Sequence, residues 1–212
     1  NKTGGTGLAA WTIRAFLGGF HPRWQRPPGR CRVLFLGADL DSTYRDDVAP
    51  VLHEHFPDCD LSPRCRYDEV RGCVVAGARG IETRWGDQVL FRSGSQSALA
   101  LSGARVQLVV VNEPPRQHIW GEAMRSAVGA APILVNFTPL PPASLIGGDD
   151  LRWLRGVIED PNAPERWSEH VVPLRYETAP HRRPAEIDQQ IADMLPWERA
   201  QRRDAAWEGP AP

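Results

Sequence analysis

Asn112 and Glu113 close a run of four apolar residues, Leu108, Val109, Val110 and Val111, and Pro114-Pro115 follows them at once. A short apolar run bounded by polar residues suits a strand buried on both faces of a parallel sheet. The carboxyl end of such a strand is where open α/β sheets hold ligands. A carboxylate there can polarise a water, and an amide beside it can help hold a hydrated metal.

The start of the chain offers a second chemistry. A phosphate-binding loop needs glycines that let backbone N–H groups approach phosphate oxygens and a following helix whose N-terminus favours negative charge. It also needs a lysine for the outer phosphates and a Ser or Thr for magnesium. Asn1, Lys2, Thr3, Gly4, Gly5 and Thr6 supply most of that list. Laid on G-x-x-x-x-G-K-[ST], Gly4 takes the second glycine, Thr6 the metal-binding hydroxyl, and Gly5 falls where the lysine belongs. The first glycine would precede residue 1. A glycine-rich turn at a helix start is also an ordinary structural device, so the loop gains weight only from the strand that ends at Glu113. A third feature is Thr138-Pro139 at the end of the apolar stretch ILVNF, which can equally be a plain strand-ending turn.

His53, His55, Cys59 and Cys65 could be assembled into a zinc site on paper. Their spacing matches no common zinc pattern, and two histidines separated by one residue point apart on a helix. Cys31, Cys59, Cys65 and Cys73 include no Cys-x-x-Cys pair, and the chain has no signal sequence, so reduced thiols in a cytoplasm are expected.

These groups need a scaffold, and the periodicity predicts one. Residues 4–7 are expected as a loop before a helix over residues 8–17, which Gly18-Gly19 closes. RVLFLG, residues 32–37, reads as a buried strand, and Asp41-Ser42 can cap a helix running to about Phe56, with Val48, Leu52 and His55 on one face. Residues 70–93 alternate around two turn signals and predict a hairpin or two edge strands. A buried strand over 106–111, a helix over 117–128 and a strand over 133–137 follow. Residues 96–103 read either as a loop facing DNA or nucleotide or as a connecting helix with a glycine cap. Residues 170–174 are a further strand candidate, and two short helices are expected over 185–195 and 197–207.

Strands alternating with helices predict a three-layer α/β domain with a mostly parallel central sheet. The chain has 212 residues, enough for one such domain plus an appendage. The expected division is a domain over 1–177 and a small C-terminal helical linker subdomain over 178–212. A formal net charge of −1 with mixed signs excludes a whole-molecule field for nonspecific nucleic-acid binding, so any DNA contact must be local. Lys2 is the only lysine among 25 basic residues. The eight tryptophans are dispersed and read as packing residues rather than base-stacking platforms. No stretch reaches the ~20 apolar residues of a membrane span. Because the chain opens on Asn rather than Met, it reads as part of something longer.

Taken together, these stretches resemble the ATPase part of a phage terminase large subunit, the motor that packages DNA into procapsids. NKTGGTGLAAW resembles that family's Asn-x-x-Gly-Lys-Thr loop and its alanine-rich helix. DQVLFRSGSQSALALSGARVQLVVVNEPP resembles the segment leading through a glycine into the Asp-Glu strand. ILVNFTPLPP resembles the Thr-Pro strand end that couples hydrolysis to motion. IDQQIADMLPWERAQRRDAAWEGPAP is similar to the helical stretch leading towards the nuclease domain.

The resemblance implies a P-loop NTPase fold of the ASCE type, with ATP and magnesium as cofactors. Lys2, Thr3, Gly4, Gly5 and Thr6 would bind the nucleotide, Thr6 and Asn112 would hold magnesium (Asn112 through water), Glu113 would align the attacking water, and Thr138 would couple. Two departures stand out: Gly5 for the lysine and Asn112 for the aspartate. Lys2 is either a displaced lysine folding back over the loop or a solvated residue at the chain start. Asparagine supplies no charge to retain magnesium. An arginine in trans is expected in ring motors, with Arg79, Arg84, Arg92 and Arg116 as candidates.

The implied partners are double-stranded DNA, a portal protein, a small terminase subunit and further copies in a ring. No membrane is expected, and the implied place is the host cell cytoplasm, from a phage or prophage. Nuclease carboxylates would lie beyond Pro212. Two alternatives remain: a catalytically degenerate terminase-like module with a structural or docking role, and an unrelated P-loop enzyme, whose lid and acceptor site are not recognisable in the sequence.

Overall fold

The computed structural model describes residues 5–37, 43–94, 96–97 and 100–137, with single positions at 153, 154, 156, 185 and 192. Gly5–Phe137 forms the first of two compact units. Its helices are α1 (Gly5–Leu17), α2 (Ala49–His55) and α3 (Gln117–Ser126). Its strands are β1 (Arg32–Gly37), β2 (Cys65–Asp68), β3 (Gly72–Val75), β4 (Ala78–Glu82), β5 (Gln88–Ser93), β6 (Leu108–Asn112) and β7 (Ile133–Asn136). The class is α/β, as expected. The sheet, however, is mixed.

The seven strands run in the order β2-β3-β4-β5-β1-β6-β7. β5, β1, β6 and β7 form a parallel block, and β2, β3 and β4 extend it antiparallel. The reason lies in the connections. Ala76-Gly77 joins β3 to β4 with φ of 48° and 87°, the primed two-residue turn of a hairpin, and a link that short permits only antiparallel neighbours. Residues 83–87 join β4 to β5 in a longer turn that is still too short for a parallel crossover, Gly86 adopting φ of 84°. A hairpin or two edge strands was expected over 70–93; β3–β4 and β4–β5 are antiparallel hairpin pairs, but the sheet's edges are β2 and β7, so none of the three is an edge strand. β5 instead pairs β1 in parallel and stands inside the sheet.

Residue type explains which strands go to the middle. β1 and β6 are buried almost throughout, and every residue of β6 is inaccessible on both faces, as its uninterrupted apolar run requires. β5 alternates half-buried and buried positions, which suits the strand where the parallel block hands over to the antiparallel one. One face packs under α1 and α2, in a core that includes Phe16, Phe35, Leu52, Phe56, Phe91 and Val110. Leu34, Leu36, Val109 and Val111, which alternation turns to the opposite face, are also buried but lie outside that core, as do Ile119, Trp120 and Ala123 of α3.

The boundaries shift in physically informative ways. α1 begins at Gly5, so Gly5, Thr6 and Gly7 are helical rather than part of a loop, and Thr6 is buried. The helix expected up to Phe56 is a π-helical turn over Thr43–Val48 followed by α2, with Pro50 in its first turn. Proline's fixed φ and missing N–H suit a helix start, so the chain restarts there instead of running through. Of the connecting helix weighed over 96–103, the described part is a 3-10 position at Ala100 followed by a turn over 101–103, with Gly103 at φ of 81°. The expected strand over 170–174 lies outside the described residues, as do the tail helices apart from Ala185 and Ala192.

Where the antiparallel block meets β5, Glu82 is 7% exposed and accepts hydrogen bonds from Arg64 Nη2 (2.6 Å), Ser62 Oγ (2.9 Å) and Gln88 Nε2 (3.3 Å). The Arg64 guanidinium first, then Ser62, hold its carboxyl down to about 2 from the ordinary 4.5. A depressed folded pKa means stabilisation that is fully present above about 4.5 and lost as pH falls towards about 2. Glu82→Gln is therefore expected to flatten the acid limb of a plot of urea midpoint against pH. An unchanged limb would show that Glu82 does not carry it.

Candidate functional site

Four parallel strands end level at one edge. Gly37 of β1 is in register with Ser93 of β5 on one side and Asn112 of β6 on the other, and Asn112 is in register with Asn136 of β7. The edge therefore carries a hydroxyl, two carboxamides and, one residue on, the carboxylate of Glu113. Asn136 Nδ2 donates to Asn112 Oδ1 at 2.7 Å, and both residues are buried, at 7% and 4% exposure. The Glu113 amide donates to the Asn136 carbonyl at 2.8 Å, which extends the β6–β7 ladder one step past the strand.

Glu113 then breaks the strand. Its φ is 78°, in the left-handed region that costs a side-chain-bearing residue of order 1 kcal/mol. The chain turns sharply there, and Pro115 packs back over the end of β5: a Cβ added to Gly94 would stand 2.9 Å from the Pro115 Cβ. The Gly94 amide donates to the Gly37 carbonyl at 2.8 Å, which ties the β5 and β1 ends together. Glycine at 94 is thus required by the fold of the loop that carries Glu113.

The direction of α1 follows from its ion pair. Arg14 Nη2 meets Asp60 Oδ2 at 2.6 Å. Asp60 adjoins the Leu61–Thr83 bridge, just beyond the Glu82–Gln88 register pair that marks the amino end of β5. The C-terminal half of α1 is pinned to the amino edge of the parallel strands. From Arg14 back to Gly5 is ~14 Å of helix, and β6 spans ~13 Å, so α1, which packs on β6 and β7, points its first turn at the carboxyl edge. Gly5 and Thr6 thus stand at the same edge as Asn112 and Glu113.

Lys2, Thr3, Gly4 and Thr138 lie outside the described residues. Of the arginines considered for action in trans, Arg79 sits over the Tyr44 ring at 6.0 Å in the antiparallel block, and Arg84 sits over Trp85 at 4.5 Å at the amino edge. The Arg92 guanidinium donates to the carbonyls of Ala100 and Phe91. Arg116, exposed after the proline pair, is the one nearest in sequence to the Glu113 turn.

Asn136 is the residue the sequence reading missed. Its signal was present: VVVN and ILVN are two apolar strands that both end in asparagine, and adjacent strands in register bring such ends together. The metal-site residues weighed earlier have other surroundings. His53 stacks on Tyr67 with centroids 4.5 Å apart, Cys59 is exposed, and burial raises the Cys65 thiol. Cys73 is pushed up to about 12, by burial first.

Neither Asn112 nor Thr6 brings a charge. Without a carboxylate, that donor set by itself holds a divalent ion weakly. It does not suit a free resident ion. No helix of the described residues is long and apolar enough to cross a membrane. Comparison with protein-family models, with curated proteins and with solved structures finds no match.

Proposed function

We propose that this chain is a nucleotide-binding ATPase-type domain of terminase kind, a P-loop module working on double-stranded DNA within a ring that engages a portal protein and a small terminase subunit. The observation that carries the reading is the grouping at one sheet edge of the α1 N-terminal turn with Asn112, Asn136 and the strained Glu113. A helix N-terminus offers unpaired N–H groups and the positive end of its dipole to phosphate. In this reading the Gly5 and Thr6 amides would face the outer phosphates, Thr6 Oγ1 would hold magnesium and Asn112 would hold it through water. The Glu113 carboxylate orients the attacking water. Magnesium bound with ATP would supply neutralisation of the phosphate charge there. Lys2, Thr3, Gly4 and Thr138, which the terminase resemblance also assigns to nucleotide binding and coupling, lie outside the described residues.

One observation favours the second reading, a degenerate module that folds but does not hydrolyse. Asn112 Oδ1 is already engaged by Asn136 Nδ2, so the neutral pair serves the sheet as much as any ligand. Calorimetric titration with MgATP distinguishes the two. The motor reading expects binding with Kd between about 1 μM and 1 mM together with turnover. Binding without turnover, or no binding at all, removes the motor and leaves the degenerate module.

A further inference from the structure

The opposite edge of the sheet carries a second concentration of polar groups that the nucleotide reading does not use. A cavity of about 270 Å³ is lined by Arg30, Arg32, Gly86, Gln88, Arg105 and Gln107. All six belong to the amino ends of adjacent strands or the turns leading into them. Arg32 opens β1, Gln88 opens β5, and Arg105 and Gln107 lead into β6. Three guanidiniums therefore open into one cleft where parallel-sheet enzymes ordinarily hold no ligand.

The acids near this cleft are occupied. Asp87 Oδ1 accepts from Arg26 Nη2 and the Cys31 amide, each at 2.8 Å, and Glu82 is held by Arg64. Among the described residues, no ion pair engages Arg30, Arg32 or Arg105. Two contacts shape the cleft. Gln107 Oε1 accepts from the Arg32 amide at 2.7 Å, and Gln88 Oε1 accepts from Arg32 Nε at 3.2 Å. Gly86 gives Arg30 room, since a Cβ there would stand 2.8 Å from Arg30 Nε. A glycine at φ of 84° against a guanidinium holds that side chain close to the turn.

We infer that this cleft is an anion site for a phosphate group, either a free phosphate or a phosphodiester of nucleic acid. Guanidinium forks match phosphate oxygens with paired, charge-assisted hydrogen bonds, and arginine keeps its charge across the accessible pH range. The site is independent of the ATP reading. It lies at the other edge of the sheet and uses none of Thr6, Asn112 or Glu113.

The test uses the whole chain and inorganic phosphate, followed by the arginine Nε–Hε resonances in 1H–15N spectra. The expected result is that the Arg30, Arg32 and Arg105 signals shift together and saturably. Arg30→Gln and Arg105→Gln should each weaken phosphate binding about tenfold, whereas Arg66→Gln, an equal loss of charge at an exposed position on β2, should leave it unchanged. Arg30 and Arg105 are exposed, so both variants should keep the wild-type melting curve. A short DNA duplex that displaces phosphate from the same three signals assigns the anion to a nucleic-acid backbone, and a duplex that leaves them unmoved assigns it to free phosphate. Absence of saturable shifts in the wild type, or equal binding by Arg30→Gln, Arg105→Gln and wild type, overturns the site. Loss of MgATP binding in a Thr6 variant, or of turnover in a Glu113 variant, bears on the other edge alone.

Discussion

Glu113→Gln is expected to lower ATP turnover by about 100- to 10,000-fold while leaving MgATP affinity nearly unchanged, because the side chain is assigned to the water and not to the nucleotide. Steady-state phosphate release and calorimetric binding, measured on the same preparation, check the two halves. Retained turnover would remove Glu113 from the water-orienting role. The backbone makes a second, independent statement at this position. With φ of 78°, Glu113 is held where glycine is at ease, so Glu113→Gly should be more stable than Glu113→Ala by about 1 kcal/mol in urea unfolding. That comparison reads the strain directly and holds whether or not the domain hydrolyses ATP. An equal stability of the two variants would mean the sharp turn after β6 relaxes without resistance.

Phe91→Ala is expected to destabilise the domain by about 3–5 kcal/mol, near the upper end for a core truncation. Phe91 is 1% exposed and packs against Phe35 at 5.5 Å and Tyr44 at 4.6 Å between ring centroids. Its size of effect is a consequence of topology. Were β5 the outer arm of an edge hairpin, its apolar side would face one neighbour strand and solvent, and truncation would leave a surface dent. Placed between β4 and β1, the ring closes the core under the π-helical turn that carries Tyr44 and the strand that carries Phe35. A loss of under about 1.5 kcal/mol, the cost of a tolerated core swap, would contradict the central placement of β5.

The two asparagines show how far local pattern reaches. Each of VVVN and ILVN announces a buried strand with a polar end, and the strand ends were legible for that reason. That the amides meet, with Asn136 donating to Asn112, depends on β6 and β7 being neighbours in register. Pairing partners are a property of the sheet and leave no mark on either strand alone. The same holds for Gly94, whose need for a missing side chain arises only because Pro115 folds back onto it. Thr6 is a different case: a glycine-rich stretch reads as a loop because glycine disfavours helix, yet Gly5, Thr6 and Gly7 are helical and Thr6 is buried. Packing of α1 on β6 and β7 overrides propensity there.

What the sequence determined by itself was the α/β class, the central buried strand, expected over 106–111 and found at Leu108–Asn112, and the chemical inventory at its end, since apolar runs and their polar stops are local and strongly written. The tertiary structure alone decided the mixed strand order, the interior place of β5, the direction of α1 and the gathering of Arg30, Arg32 and Arg105 at the far edge. These depend on which strands become neighbours, and that choice is made by short turns and by burial of faces across the whole sheet rather than by any single stretch of residues.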